Sequence, residues 1–268
     1  MPTRRRLVAT FLGLVLAATL SACLPSPADP SATPDSPATP VPAAPASPWP
    51  RLPAPTDLPA DRPLRVAFLV VNGVYNTELA APYDVFNHTI YQVQPGMETF
   101  TVSPDGAPIT TAEGLVLQPR YSFATAPAID VLVVPSAEHS RDQDRENHEL
   151  VEWVRKVGGE ARYVVSLCWG AFILAEAGLL DGHAATTFPT DHDLFAQTFP
   201  AIDVRREVTF VHDRNALTSQ GGVRSYDVAM YLVDHLYGEA AARGIGGGLL
   251  IPWPPGPEAM PAAVAGES

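Results

Sequence analysis

Three short apolar runs constrain the fold of this chain more than any other feature. They are LRVAFLVV (64–71), IDVLVVP (129–135) and RYVVSL (162–167). Each is continuous rather than alternating and rich in Val, the pattern of a strand buried on both faces. Helical patterns lie between and after them. ELAAPYDVFNHTI (78–90) reads as a helix with Pro82 near its start. RENHELVEWVRKVGG (145–159) sets Leu150, Val151, Val154 and Val157 at helical spacing and stops at Gly158-Gly159. WGAFILAEAGLL (169–180) and VRSYDVAMYLVDHLYG (223–238) are predicted helices. VRREVTFVHD (204–213) and ALTS (216–219) read as strands, and METFTVSP (97–104) with GLVLQPRYSF (114–123) as a hairpin-like excursion. Strands alternating with helices predict an α/β fold, a doubly wound and mostly parallel sheet with helices on both faces.

The first 62 residues have a different character. Arg4, Arg5 and Arg6 precede an apolar stretch, Leu7 to Leu20, too short to span a bilayer as a mature helix. It ends in Leu20-Ser21-Ala22-Cys23, which matches a bacterial lipoprotein box. The expected organisation is a signal peptide over 1–23 with lipidation at Cys23, and a disordered Pro/Ala/Ser-rich tether over 24–62. A globular domain over 63–255 and a flexible tail over 256–268 would follow. Such a tether cannot bury enough apolar surface to offset its ordering entropy. The expected location is the extracytoplasmic face of the cell envelope, with the lipid as the membrane partner. The formal net charge of -12 argues against nucleic acid and against a peripheral hold on anionic lipid. With Cys23 consumed by lipid, the second cysteine, Cys168, has no partner in the chain.

Cys168 follows the third apolar run and precedes a predicted helix. Ligands in such folds bind beyond the carboxyl ends of the strands. Unpaired amides and the positive end of a helix dipole favour a thiolate there, so the sequence predicts an acidified, reactive thiol. The same amides can hold a developing oxyanion. A sharp strand–nucleophile–helix turn is also the geometry of a nucleophile elbow.

The segment VVSLCWGAFILAEAGLLDGHAATTFP (164–189) resembles the cysteine elbow of the DJ-1/PfpI superfamily, a flavodoxin-like fold. It is similar to the isocyanide hydratase branch and to the amidotransferase-like part of AraC-type regulators. VAFLVVNGVYNTELAAPYDVF (66–86) is similar to that branch's first strand, loop and helix, and LTSQGGVRSYDVAMYLVDHLYG (217–238) to its last strand, glycine turn and helix. The resemblance implies that Glu78 stands against the Cys168 sulfur as a protonated acid that donates to the thiolate. It implies oxyanion donors at the amides of Trp169 and Ala137. A homodimer is the family's habit, which the sequence leaves open. Three positions depart from the pattern. Trp169 stands where peptidase-like members carry His, Phe188 stands where many members carry a His near the cysteine, and Pro135-Ser136-Ala137 replaces a Pro-Gly-Gly turn.

The other histidines read as bland. His139 lies in a solvated charged loop. His192 follows Thr190, read as a helix cap with Asp193 three residues on. His183, Asp191, His192 and Asp193 meet no metal-ligand spacing. No cofactor and no metal are expected, and the partner is a small-molecule ligand or substrate. Two function classes remain: a cysteine-dependent hydratase or hydrolase acting on a small electrophile, and a non-catalytic ligand-binding or redox-sensing module.

Overall fold

A computed structural model describes residues 47–265. The readings of 1–23, of Cys23 and of most of the tether fall outside these residues.

The strands in chain order are β1 (Leu64–Leu69), β2 (Met97–Ser103), β3 (Ile109–Thr110), β4 (Val116–Leu117), β5 (Tyr121–Ser122), β6 (Val131–Val134), β7 (Tyr163–Leu167), β8 (Ala184–Ala185), β9 (Asp203–Val204), β10 (Phe210–Asp213), β11 (Ala216–Ser219) and β12 (Ala263–Ala265). The helices are α1 (Asn76–Asn87), α2 (Gln143–Glu146), α3 (His148–Glu160), α4 (Gly170–Glu176), α5 (His192–Thr198), α6 (Ser225–Tyr237) and α7 (Glu239–Leu249). One eight-stranded sheet runs in the order β12-β10-β11-β7-β6-β1-β2-β5. All its pairings are parallel except β10 with β11. This is the doubly wound, mostly parallel, flavodoxin-like α/β sheet expected from the sequence.

The continuous apolar runs make sense in this setting. Along β1, Leu64, Val66 and Phe68 face a core with Val85, Phe86, Val228 and Ile245, while Ala67 and Leu69 face a second core with Leu150, Val154, Phe172 and Phe195. Helices α1, α6 and α7 thus cover one face and α3, α4 and α5 the other. With both faces buried, alternation has nothing to report and, apart from Arg65, the strand reads apolar.

Three boundaries differ from expectation. METFTVSP is no hairpin arm: β2 lies inside the sheet, pairing from Leu64↔Met97 to Leu69↔Val102, and the hairpin is β3 with β4. The domain does not begin at 63. Trp49, 3% exposed, packs in the first core against Phe210 and Trp253 at 5.1 and 5.5 Å. Arg51, Asp57 and Arg62 pair with Asp234, Arg162 and Asp130. Nor are residues 256–265 a free tail, because β12 pairs in parallel with β10 and forms the edge of the sheet. Both end segments are proline-rich, but each carries enough apolar and hydrogen-bonding groups to dock on a preformed face.

Candidate active site

Four strand ends meet at Cys168. It leaves β7 with φ 52, in the left-handed region that a side chain rarely adopts. Its amide donates to the Ser219 carbonyl of β11 at 2.9 Å, and its carbonyl accepts from the Thr187 hydroxyl at 2.8 Å. Two glycines make room for this turn. A Cβ on Gly170 would lie 1.9 Å from the Val134 carbonyl oxygen of β6, so α4 can start this close to the sheet only with glycine. Gly221, at φ +83, lies against the cysteine itself. A Cβ there would stand 2.4 Å from Cys168 Cβ and 2.5 Å from Glu78 Oε1. The Glu78 carboxylate and Cys168 therefore share one small space.

Glu78 reaches that space from the first turn of α1. The loop before α1 is zipped to the turn after β6: the Tyr75 amide donates to the Ser136 carbonyl at 3.1 Å and the Glu138 amide to the Gly73 carbonyl at 3.0 Å. Ser136 then donates its amide (3.0 Å) and its hydroxyl (2.7 Å) to Glu78 Oε2, while the Gly222 amide donates to Oε1 at 3.1 Å. Pro82 lies in the interior of α1 rather than near its start and has no N–H to return to the Glu78 carbonyl.

The electrostatics reverse part of the sequence reading. Burial raises the Glu78 carboxyl above its usual range, against the bonds from Ser136 and Gly222. Burial also pushes the Cys168 thiol well up, and the Glu78 negative charge adds to this; the Ser136 hydroxyl and the Trp169 amide pull the other way. Cys168 and Glu78 are each 5% exposed, so desolvation outweighs the terminus of a helix only seven residues long. The predicted acidified thiolate is thus corrected to a neutral thiol. Both Glu78 oxygens already accept hydrogen bonds, which suits a carboxylate that takes a proton from the thiol rather than an acid that donates to a thiolate.

Of the two expected oxyanion donors, the Trp169 amide faces the sulfur. Ala137 does not serve: its N–H donates to the Ser140 hydroxyl at 2.8 Å. Several residues at the site were missed in the sequence. Ser136 was noted only as a replaced glycine. Trp169 is pinned by Asp191, which accepts from its indole N–H at 2.9 Å, and by Arg141, whose guanidinium lies 4.0 Å over its ring and 2.5 Å from Asp191. Tyr75 and Phe188 meet Trp169 edge-on at 6.1 and 6.3 Å. The Thr190 hydroxyl bonds to the Asp191 side chain instead of capping a helix.

The other histidines stay away from the sulfur. His192 is buried against the Thr186 hydroxyl at 2.9 Å, His139 is half-exposed near Asp142, and His183 bonds to the Asp213 carbonyl at 3.2 Å. Among the described residues no group of three or more His, Cys, Asp or Glu is placed to hold a metal ion.

The family model described as DJ-1/PfpI family matches residues 64–235. The chain belongs to the DJ-1/PfpI family. As a member of it, the chain is 33% identical over 210 residues to an isonitrile hydratase of Pseudomonas putida, covering 76% of this chain and 88% of that protein. It is 31% identical over 142 residues to the HTH-type transcriptional regulator CdhR of Pseudomonas aeruginosa, covering 53% of this chain and 41% of the regulator. Among solved structures, a ThiJ/PfpI family protein from Pseudomonas syringae superposes with a TM-score of 0.63 at 27% identity, over 86% of this chain and 85% of that one. The fold is that of the DJ-1/PfpI family.

Proposed function

We propose that the protein is a cysteine-dependent hydratase of small electrophiles, with isocyanides as the substrate class. The observation that carries this reading is the Cys168 elbow at φ 52 with the Glu78 carboxylate in contact beside it. The likeness to an isonitrile hydratase over most of both chains supports the choice of electrophile.

The chemistry follows from the groups present. Glu78, a base strengthened by burial, takes the thiol proton as sulfur bonds to the terminal carbon of R–N≡C. That proton passes to the same carbon, giving the thioimidate R–N=CH–S–Cys168. Water then adds to the carbon as Glu78 accepts one of its protons and passes it to the imine nitrogen. The C–S bond breaks, sulfur leaves with its electron pair and takes the remaining hydroxyl proton as the C=O forms, and R–NH–CHO departs. The sum is one water added to one isocyanide, with no change of oxidation state. The Trp169 amide stabilises charge that grows on sulfur. Redox sensing is the weaker reading, because sensor thiols are acidic and accessible and this one is neither.

We further propose that the mature protein is exported and held to the membrane by lipid on Cys23, so that this chemistry takes place outside the cytoplasm. The support is the sequence alone, namely the basic and apolar leader and the small residues before Cys23.

The test of activity is to incubate the protein with methyl isocyanide and follow N-methylformamide by proton NMR. Formation that disappears in Cys168→Ala is expected; equal rates in the two proteins would end the proposal. The anchor is tested separately. Cys23→Ser is expected to leave the membrane fraction, and retention there would exclude lipidation at Cys23.

A further inference from the structure

A second space lies one residue along the chain from the glycine packed on Cys168. It is a cavity of about 690 Å³ lined by Pro189, His192, Arg206, Glu207, Gln220 and Met260. Its volume falls within the range of small-molecule sites. Two of its lining residues, Pro189 and Gln220, are close in the chain to residues that touch the cysteine. On one side Thr187 holds the Cys168 carbonyl, and Pro189 lies two residues on. On the other, Gln220 directly precedes Gly221, the residue packed on Cys168 Cβ. Gln220 is 8% exposed, and among the described residues its side-chain amide makes no hydrogen bond to protein.

Met260 also lines the cavity, and it is held in place by the other end of the domain. Met260 belongs to the segment read from sequence as a free tail. The Trp49 indole N–H donates to the Met260 carbonyl at 3.0 Å across 211 positions, and the Thr209 amide donates to the Pro261 carbonyl at 2.8 Å. Thr209 in turn accepts from the Gln220 amide at 3.1 Å. The docked ends and the Gln220 wall therefore form one hydrogen-bonded unit. Methionine is an unbranched, adaptable side chain suited to close an apolar space over groups of different shape.

We infer that this cavity receives the organic substituent of the electrophile attacked at Cys168, and that Met260 sets its upper size. The inference rests on the hydratase reading for its substrate class but not for its geometry. The site fits an alkyl or aryl group of benzyl size, with the Gln220 side-chain amide, unlike its backbone amide, free to meet a hydrogen-bonding atom on it.

Two readouts keep the inference separate from the hydratase proposal. The first is kcat/KM for benzyl and for methyl isocyanide in the wild type, Met260→Trp and Met260→Ala. The benzyl-to-methyl ratio is expected to fall at least about tenfold in Met260→Trp and to hold or rise in Met260→Ala. The second needs no turnover: alkylation of Cys168 by N-benzyl iodoacetamide relative to iodoacetamide, read by mass spectrometry, is expected to fall by a similar factor in Met260→Trp. Arg206→Trp, at a half-exposed position on the same cavity, repeats both measurements should Met260→Trp not fold. Selective alkylation without hydration would remove the hydratase proposal and leave the cavity. Ratios unchanged in a folded variant, by whichever readout, would overturn the cavity assignment.

Discussion

Ser136 holds Glu78 twice, its amide 3.0 Å and its hydroxyl 2.7 Å from the same carboxylate oxygen. These bonds favour the ionised carboxylate and oppose the burial that raises its pKa. Ser136→Ala removes the hydroxyl donor, so the Glu78 pKa is expected to rise further. A base must be ionised to act, and the acid limb of the kcat/KM profile is therefore expected to move to higher pH. Loss of one hydrogen bond to a charged group corresponds to roughly a tenfold lower rate at pH 7. A pH–rate profile with an unmoved acid limb would deny Glu78 the role of base.

Glu78→Gln separates nucleophile from base. The Glu78 charge helps to raise the Cys168 pKa, so removing it is expected to lower that pKa and speed iodoacetamide labelling at neutral pH. Hydration is expected to fall by about 10²–10⁴, the usual contribution of a positioned base. Labelling and turnover thus move in opposite directions. A joint fall of both, in a variant with the wild-type circular dichroism, would place Glu78 as a structural support only.

Trp49 tests the domain boundary. It is 3% exposed and packs on Phe210 and Trp253. Trp49→Ala is expected to cost about 3–5 kcal/mol of stability, as for other buried Trp truncations. Urea unfolding followed by far-ultraviolet circular dichroism measures this. A loss below about 1 kcal/mol would restore the reading of residues 47–62 as part of a loose tether.

Acid stability follows from a buried pair on the same side of the sheet. His212 is wholly buried between the Tyr231 hydroxyl and the Arg214 carbonyl, each at 3.0 Å, with the His235 ring at 5.0 Å. Burial pulls its pKa down to about 4, and His235 is lowered for the same reason. The unfolded chain protonates His212 from about pH 6.5 downward, whereas the folded chain refuses that proton until about pH 4. Stability is therefore complete above about pH 6.5 and falls as pH drops through this window, by about 3 kcal/mol for His212 alone. His212→Gln is expected to flatten that slope in urea unfolding at pH 7, 5.5 and 4.5. An unchanged slope would place the acid sensitivity elsewhere.

Local sequence determined much of this protein. The runs at 64–71, 129–135 and 162–167 are mostly apolar and do not alternate because both faces of β1, β6 and β7 are covered, and this pattern needs no partner to be read. Cys168 between a strand and a helix is legible as an elbow, whereas the close approaches that require Gly170 and Gly221 are seen only in the fold. What tertiary structure decided was the chemistry of that elbow. Ser136 reaches Glu78 over 58 positions, and Trp49 reaches Met260 over 211. Neither pairing leaves a periodic trace in the chain. The proline-rich ends look alike whether free or docked, and only the face that receives Trp49 and β12 distinguishes the two. The thiol shows the same division. A helix terminus is visible in sequence and argues for a thiolate, whereas the degree of burial is set by every element packed around it. At 5% exposure desolvation prevails, and Cys168 rests as a thiol.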